Sequence, residues 1–196
     1  MNNTIIVGSL GRAGSTTLYQ SIGQTIQYNL TNFQDNLKQC DYQKKCVYQT
    51  HDFPPNNLPK HTKFIWTFAD PYEIVLSVLN QGKKKGVNWV EDHFDHLKGN
   101  FDKYDNIFNY DAMRLEKHFD EWYKNHSFEL LTIKYRTIWK EQRKLSRFIG
   151  NYIDLPMFND REDRFSKLDK GEKKKLEDTY GELHNKIENA ENFKVW

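Results

Sequence analysis

Bulk composition gives this chain little to attract a partner. It carries 29 Lys and Arg against 27 Asp and Glu, a formal net charge of +2 over 196 residues. So even a balance offers no broad field for nucleic acid, and any anion site must be local. Cysteine is scarce: Cys40 and Cys46 are the only two, and no second pair stands by to complete a thiolate metal site. A reduced, intracellular chain is the default reading, with a disulfide between the two left open. No apolar run nears the ~20 residues of a membrane-spanning helix. The first strand-like run begins at Thr4, which leaves no room for a signal peptide, so a cytoplasmic location is expected. Internal repeats and a second domain are also absent from the pattern, and residues 1–196 are expected to form a single domain.

What is present is a polar, globular composition, 37% hydrophobic and 29% charged, with aromatics at 15%. Thr4 to Leu18, TIIVGSLGRAGSTTL, is the stretch around which the rest is organised. Thr4–Val7 is a short apolar, β-branched run, the composition of a buried strand. Gly8, Gly11 and Gly14 follow, with Arg12 between the last two, and Ser15-Thr16-Thr17 open a segment with Leu18, Ile22 and Ile26 on one helical face. Strand, glycine loop and helix start make an anion pocket. Glycine lets backbone approach the ligand, the first N–H groups of the helix donate to it, and the helix dipole favours negative charge. Arg12 and the three hydroxyls add charge and further donors.

Two common phosphate loops do not fit. A Walker A loop requires Gly-Lys-Ser/Thr at its end, and no lysine stands at that place. The dinucleotide fingerprint is Gly-x-Gly-x-x-Gly, whereas this chain reads Gly8-x-x-Gly11-x-x-Gly14, and its acidic partner would be Asp35, with no strand before it. Arg12-Ala13-Gly14-Ser15-Thr16 instead resembles the 5′-phosphosulfate loop of sulfotransferases, in which Lys or Arg precedes a small residue, Gly and a Ser/Thr pair.

Further along, Cys46–Gln49 reads as a short strand, followed by Thr50-His51-Asp52-Phe53-Pro54-Pro55, where the prolines forbid a regular element. Lys63–Phe68 is a clearer core strand, and Asp70-Pro71 are start signals for a helix over Tyr72–Asn80. The series Thr-His, proline stretch, strand, x-x-Pro and a Ser six residues later is similar to that of cytosolic sulfotransferases. The resemblance covers roughly residues 4–160. It implies His51 as the catalytic base, with Asp52 the alternative, and Ser77 in the 3′-phosphate site of 3′-phosphoadenosine 5′-phosphosulfate. The family's 3′-phosphate arginine falls on Ala69, and its basic loop Arg-Lys-Gly is replaced by Arg161-Glu162-Asp163-Arg164, which leaves Arg164 as a weak match.

Gly82–Gly86, GKKKG, reads as an exposed loop whose lysines could supply the charge that Ala69 lacks. Residues 88–104 carry Trp89 and a His93-x-x-His96 pair, and this aromatic region is a candidate for acceptor contacts rather than for a metal site. Residues 107–124 have Leu115, Phe119 and Trp122 at helical spacing, which reads as core. Phe128–Tyr135 is the third core strand, and the resemblance places Tyr135 by the adenine. An amphipathic helix with Trp139, Leu145, Phe148 and Ile149 ends at Gly150. A charged helical segment occupies about 165–196, with its helix over Lys170–Glu191.

The expectation is a single α/β domain: three layers, a central parallel sheet flanked by helices, of P-loop-like sulfotransferase fold. It would move a sulfuryl group from 3′-phosphoadenosine 5′-phosphosulfate to a hydroxyl or amine of a small-molecule or glycan acceptor, without a metal. The implied catalytic residues are His51 and Arg12. Donor binding is implied for Gly11, Arg12, Ala13, Gly14, Ser15, Thr16, Thr17, Ser77, Tyr135 and Arg164. A P-loop kinase-like enzyme and a non-catalytic anion- or partner-binding domain remain alternatives. Neither nucleic acid nor membrane is an expected partner.

Overall fold

The computed structural model describes residues 3–160 and 163–196. Six strands form one sheet in the order β2-β3-β1-β4-β5-β6: β1 Thr4–Ser9, β2 Asn29–Leu30, β3 Cys46–Thr50, β4 Thr62–Phe68, β5 Leu130–Lys134 and β6 Phe193–Val195. The helices are α1 Ser15–Ile26, α2 Pro71–Lys85, α3 Val87–His96, α4 Leu115–Trp122, α5 Gln142–Ile149 and α6 Lys170–Asn189. All six residues of β1 are buried. This is why it reads as a continuous apolar run rather than an alternating one: parallel strands are covered on both faces. It pairs in parallel with β3 (Val7 opposite Gln49) and with β4 (Val7 opposite Ile65), so the chain fills one edge of the sheet and then the other, with β1 between.

The sheet is not wholly parallel, as the sequence pattern had implied. β6 runs antiparallel to β5, with Thr132 opposite Lys194, and the Trp196 N–H donates to the Leu130 carbonyl at 2.9 Å. Three half-exposed residues give no periodicity by which to find such a strand. The GKKKG segment is also corrected: it is the last turn of α2, not a loop. Gly82 sits where a Cβ would come within 2.8 Å of Tyr104 Oη and Val90 Cγ2, so glycine serves close packing there. The helix expected across 107–124 is shorter, Leu115–Trp122, and begins after Asp111 caps it through the Leu115 and Glu116 N–H groups at 2.9 and 3.0 Å.

The core under β4 is aromatic. Trp66, Trp122, Phe64 and Phe68 are 0–1% exposed, and the Trp66 and Trp122 rings stack at 6.2 Å. Burial of side chains this size contributes on the order of 2–3 kcal/mol each to the stability of the sheet beneath its loops. Cys40 and Cys46 are both free thiols. No helix among the described residues is long and apolar enough to cross a membrane.

Candidate functional site

The carboxyl ends of parallel strands are where open α/β sheets gather ligand sites, because the following loops leave the sheet together there. Here the β1–α1 loop and the residue after β3 meet around one cavity of about 500 Å³. It is lined by Arg12 and Gly14–Thr17 on one side, by Gln49 and His51 on another, and by Phe33, Lys85, Trp89 and His93. No Asp or Glu is among these residues. The cavity is therefore an electropositive, hydroxyl-rich space with an aromatic wall.

The backbone of the loop turns sharply at its glycines. Gly11 and Gly14 have φ of 75° and 88°, and Arg12 between them is itself left-handed at 47°. Gly14 caps α1 without a side chain, and no acidic residue stands in the first turn. The N-cap residue thus offers no side chain to the first N–H groups of α1, and the residues at this positive end of the helix dipole line the cavity. A Cβ on Gly14 would also overlap the Tyr135 ring, so this glycine is required twice. Ala13 is completely buried beneath the loop.

Arg12 reaches across to α2, where its Nε donates to Ser77 Oγ at 3.1 Å, and its guanidinium lies 5.8 Å from the centre of the Trp89 ring. Lys85 Nζ lies 5.3 Å from the same ring. Trp89 stacks on His93 at 5.1 Å and 11°, so α3 presents a platform that gathers both cations.

His51 follows β3 and is 6% exposed. Its Nδ1 lies 3.2 Å from the Ser9 carbonyl oxygen and 3.1 Å from Ser9 Oγ, and its ring is flanked by Phe33 at 5.1 Å and His93 at 5.7 Å. Burial, chiefly, and the neighbouring His93, His96 and His118 push its pKa well below the usual histidine value. His51 is consequently a neutral imidazole. A carbonyl only accepts, so Nδ1 carries the hydrogen and Nε2 keeps its lone pair. His93 is neutral too, its pKa brought down to about 3 by burial and by Arg12.

Asp52 lies in a different place. Its carboxylate accepts from the N–H groups of Leu37 and Phe53 at 2.9 and 2.8 Å, and it lines a separate cavity with Asp35, Lys38 and Lys98. Two backbone bonds give it a structural task and take it away from the glycine loop. His93 and His96 also part company: the first faces the cavity and the second pairs with Asp35. Among the described residues no group of three or more His, Cys, Asp or Glu is arranged to hold a metal ion.

Of the residues singled out in the sequence, Arg12, Gly14, Ser15, Thr16, Thr17 and His51 line the one cavity. Gly11 packs beside it, where a Cβ would approach His93 Nε2 at 3.3 Å. Ser77 is buried and reaches the site only through Arg12. Tyr135 packs against Gly14 and Trp139 instead of along the cavity wall, so its place is under the loop. Arg164 is half-buried beside Phe165, which stacks on Tyr72, and it does not line the cavity. Arg161 and Glu162 lie outside the described residues. Ala69 is buried and borders a smaller cleft whose cations are engaged, Arg136 by Glu73 and Lys134 by Glu188 at 2.6 Å. Sequence reasoning did not single out Ser9 or Phe33. A serine ending an apolar strand and a phenylalanine in a polar loop carry no pattern of their own.

The chain matches no protein-family model and no curated protein. What the structure defines is an α/β protein in which a glycine loop, a helix N-terminus and a neutral histidine meet at one cavity.

Proposed function

We propose that this cavity binds a nucleoside phosphosulfate through its 5′ end and transfers the sulfuryl group to an acceptor hydroxyl, with His51 as general base. The observation that carries the reading is the meeting, in one cavity, of an uncapped helix N-terminus with Arg12 and a neutral imidazole whose Nε2 is left basic. An anion cradle alone would serve a binding protein, and a buried histidine alone would serve the core. Together they supply the two things that transfer of an anionic group to a hydroxyl needs.

In the proposed reaction His51 Nε2 takes the acceptor's proton as the new S–O bond forms. The bridging S–O bond to phosphate breaks, and the negative charge left on the phosphate is held by Arg12, the first N–H groups of α1 and the hydroxyls of Ser15–Thr17. Positioning and charge stabilisation dominate, as in phosphoryl transfer. The residues fit 3′-phosphoadenosine 5′-phosphosulfate well at its 5′ end and differently at its 3′ end. Ala69 offers no charge there and the Ser77 hydroxyl is engaged by Arg12, so Lys85 is the cation left to meet a 3′-phosphate. The absence of Asp and Glu from the described lining disfavours the kinase-like alternative, which wants a carboxylate to place a divalent ion beside the phosphates.

Calorimetry tests the proposal. The expected result is binding of 3′,5′-adenosine bisphosphate in preference to ATP with Mg²⁺. The reverse preference would turn the reading toward a kinase-like enzyme, and binding of neither would remove the nucleotide altogether.

A further inference from the structure

Resting on His51 as the base, we propose that Ser9 is its positioning residue, fixing His51 as the Nδ1–H tautomer and joining it to the anion cradle through Ser15.

Ser9 is the last residue of β1 and is 1% exposed. Its hydroxyl has three partners: Oγ lies 3.1 Å from Ser15 Oγ and 3.1 Å from His51 Nδ1, and it accepts the Gly11 N–H at 3.2 Å. A serine hydroxyl offers one hydrogen and two lone pairs. One lone pair goes to Gly11. Were Nδ1 bare, the Ser9 hydrogen would go to it, and the Ser9 carbonyl 3.2 Å away would face a lone pair. With the hydrogen on Nδ1 every group is matched. Nδ1–H is shared by the Ser9 carbonyl and Oγ, and the Ser9 O–H donates to Ser15.

The second half of the inference follows from Ser15. Its Oγ accepts from Ser9 and from Gln49 Nε2 at 3.2 Å, which occupies both of its lone pairs. Its own hydrogen is therefore free for the cavity it lines. An anion accepting that hydrogen draws on the same chain that holds His51, since hydrogen bonds in series polarise one another. One hydroxyl, buried and three-connected, thus orients the glycine loop, the helix start and the imidazole at once.

The first readout is the ¹⁵N spectrum of the His51 ring in the intact protein, assigned by its loss in His51→Gln. The wild-type ring is expected as the pure Nδ1–H form. Ser9→Ala keeps the carbonyl but loses the second acceptor of Nδ1–H, so it should admit a measurable Nε2–H fraction, whereas Ser9→Thr, which keeps the hydroxyl, should show the wild-type form. An Nε2–H ring in the wild type, or an unmixed Nδ1–H ring in Ser9→Ala, would overturn the assignment. If Ser9→Ala does not fold, Ser9→Cys keeps the shape with a weaker acceptor and takes its place.

The second readout is turnover with 3′-phosphoadenosine 5′-phosphosulfate and p-nitrophenol. Ser9→Ala should lose roughly ten- to hundredfold in kcat, and nothing further when His51 is already alanine, because the residue acts through the histidine. An equal loss in both backgrounds would make Ser9 merely structural. Full activity of His51→Ala would instead end the general-base reading, while leaving the tautomer result standing.

Discussion

Acidification should destabilise this protein well above the pH at which its carboxylates titrate. Three histidines, His51, His93 and His118, are 0–6% exposed and held neutral. Burial first, and neighbouring positive groups second, bring His93 to about 3; burial brings His118 to about 4; His51 lies well below its ordinary value. In the unfolded chain each returns to about 6.5. Below that pH the unfolded state therefore binds more protons than the native state, and stability falls as pH falls. Between pH 7 and 5 a histidine that titrates only when unfolded removes about 1.8 kcal/mol, so the three remove about 5 kcal/mol. Asp111 works the other way, because burial raises its carboxyl and the native state takes up that proton early, a smaller offset. A loss of about 5 kcal/mol consumes much of the ~5–15 kcal/mol that holds a domain together. Urea unfolding followed by tryptophan fluorescence reads it as a midpoint lower by about 2 M or more at pH 5 than at pH 7, for a slope of about 2 kcal/mol per molar. His118→Gln, whose amide still donates to the Leu97 carbonyl as Nε2 does at 2.8 Å, should remove about a third of that pH dependence. A midpoint that moves by less than ~0.5 M would mean that the histidines are not held neutral, and the basis for His51 as a ready base would go with it.

His51→Ala is expected to lower turnover by about 10²–10⁴ and leave bisphosphate affinity close to wild type, because its proton belongs to the chemical step. In the wild type the acid limb of kcat should lie below pH 6.5, since a lowered pKa keeps the imidazole neutral further into acid; a limb at or above 6.5 would contradict its burial. Arg12→Ala should weaken bisphosphate binding by about tenfold or more and turnover as well, a charge-assisted phosphate contact being lost in both states; unchanged affinity would remove Arg12 from the site. Lys85→Ala should erase the preference for a 3′-phosphorylated nucleotide over its 2′,3′-diol counterpart, measured by calorimetry, while Arg164→Ala should not; a preserved preference in Lys85→Ala would show that the 3′ end is met elsewhere.

The strands that carry the site were legible because each is an apolar run bounded by turn residues, Thr4–Val7 and Lys63–Phe68 most clearly. The glycine loop was legible because its glycines stand between a strand and a helix start, and Gly11 and Gly14 indeed take the positive φ that glycine permits. What escaped was tertiary. Lys83–Lys85 look like loop, yet lysine is a good helix former and α2 simply continues beneath them. That continuation is what brings Lys85 to the cavity. Phe33 comes from a polar stretch and is recruited by packing on His51 and His96. β6 was invisible because three residues pair only when β5 is already there to receive them. Spacing did not show how Ser77 meets the site: its hydroxyl oxygen accepts from Arg12 Nε, a contact between α2 and the glycine loop.

The position of β1 between β3 and β4 has a consequence for how the protein comes into being. Its partners lie some forty and sixty residues further along the chain, Ile5 against Val47 and Ile5 against Lys63, so neither pairing is local. Closing loops of that length costs entropy before any contact repays it, and sheets of such high contact order fold slowly. β1 must wait for strands made much later. Until they arrive, the strand from which the glycine loop hangs is unpaired and Ser9 has no His51 to face. Formation of the cavity and the global folding transition should therefore appear together, with no early intermediate able to bind the proposed donor.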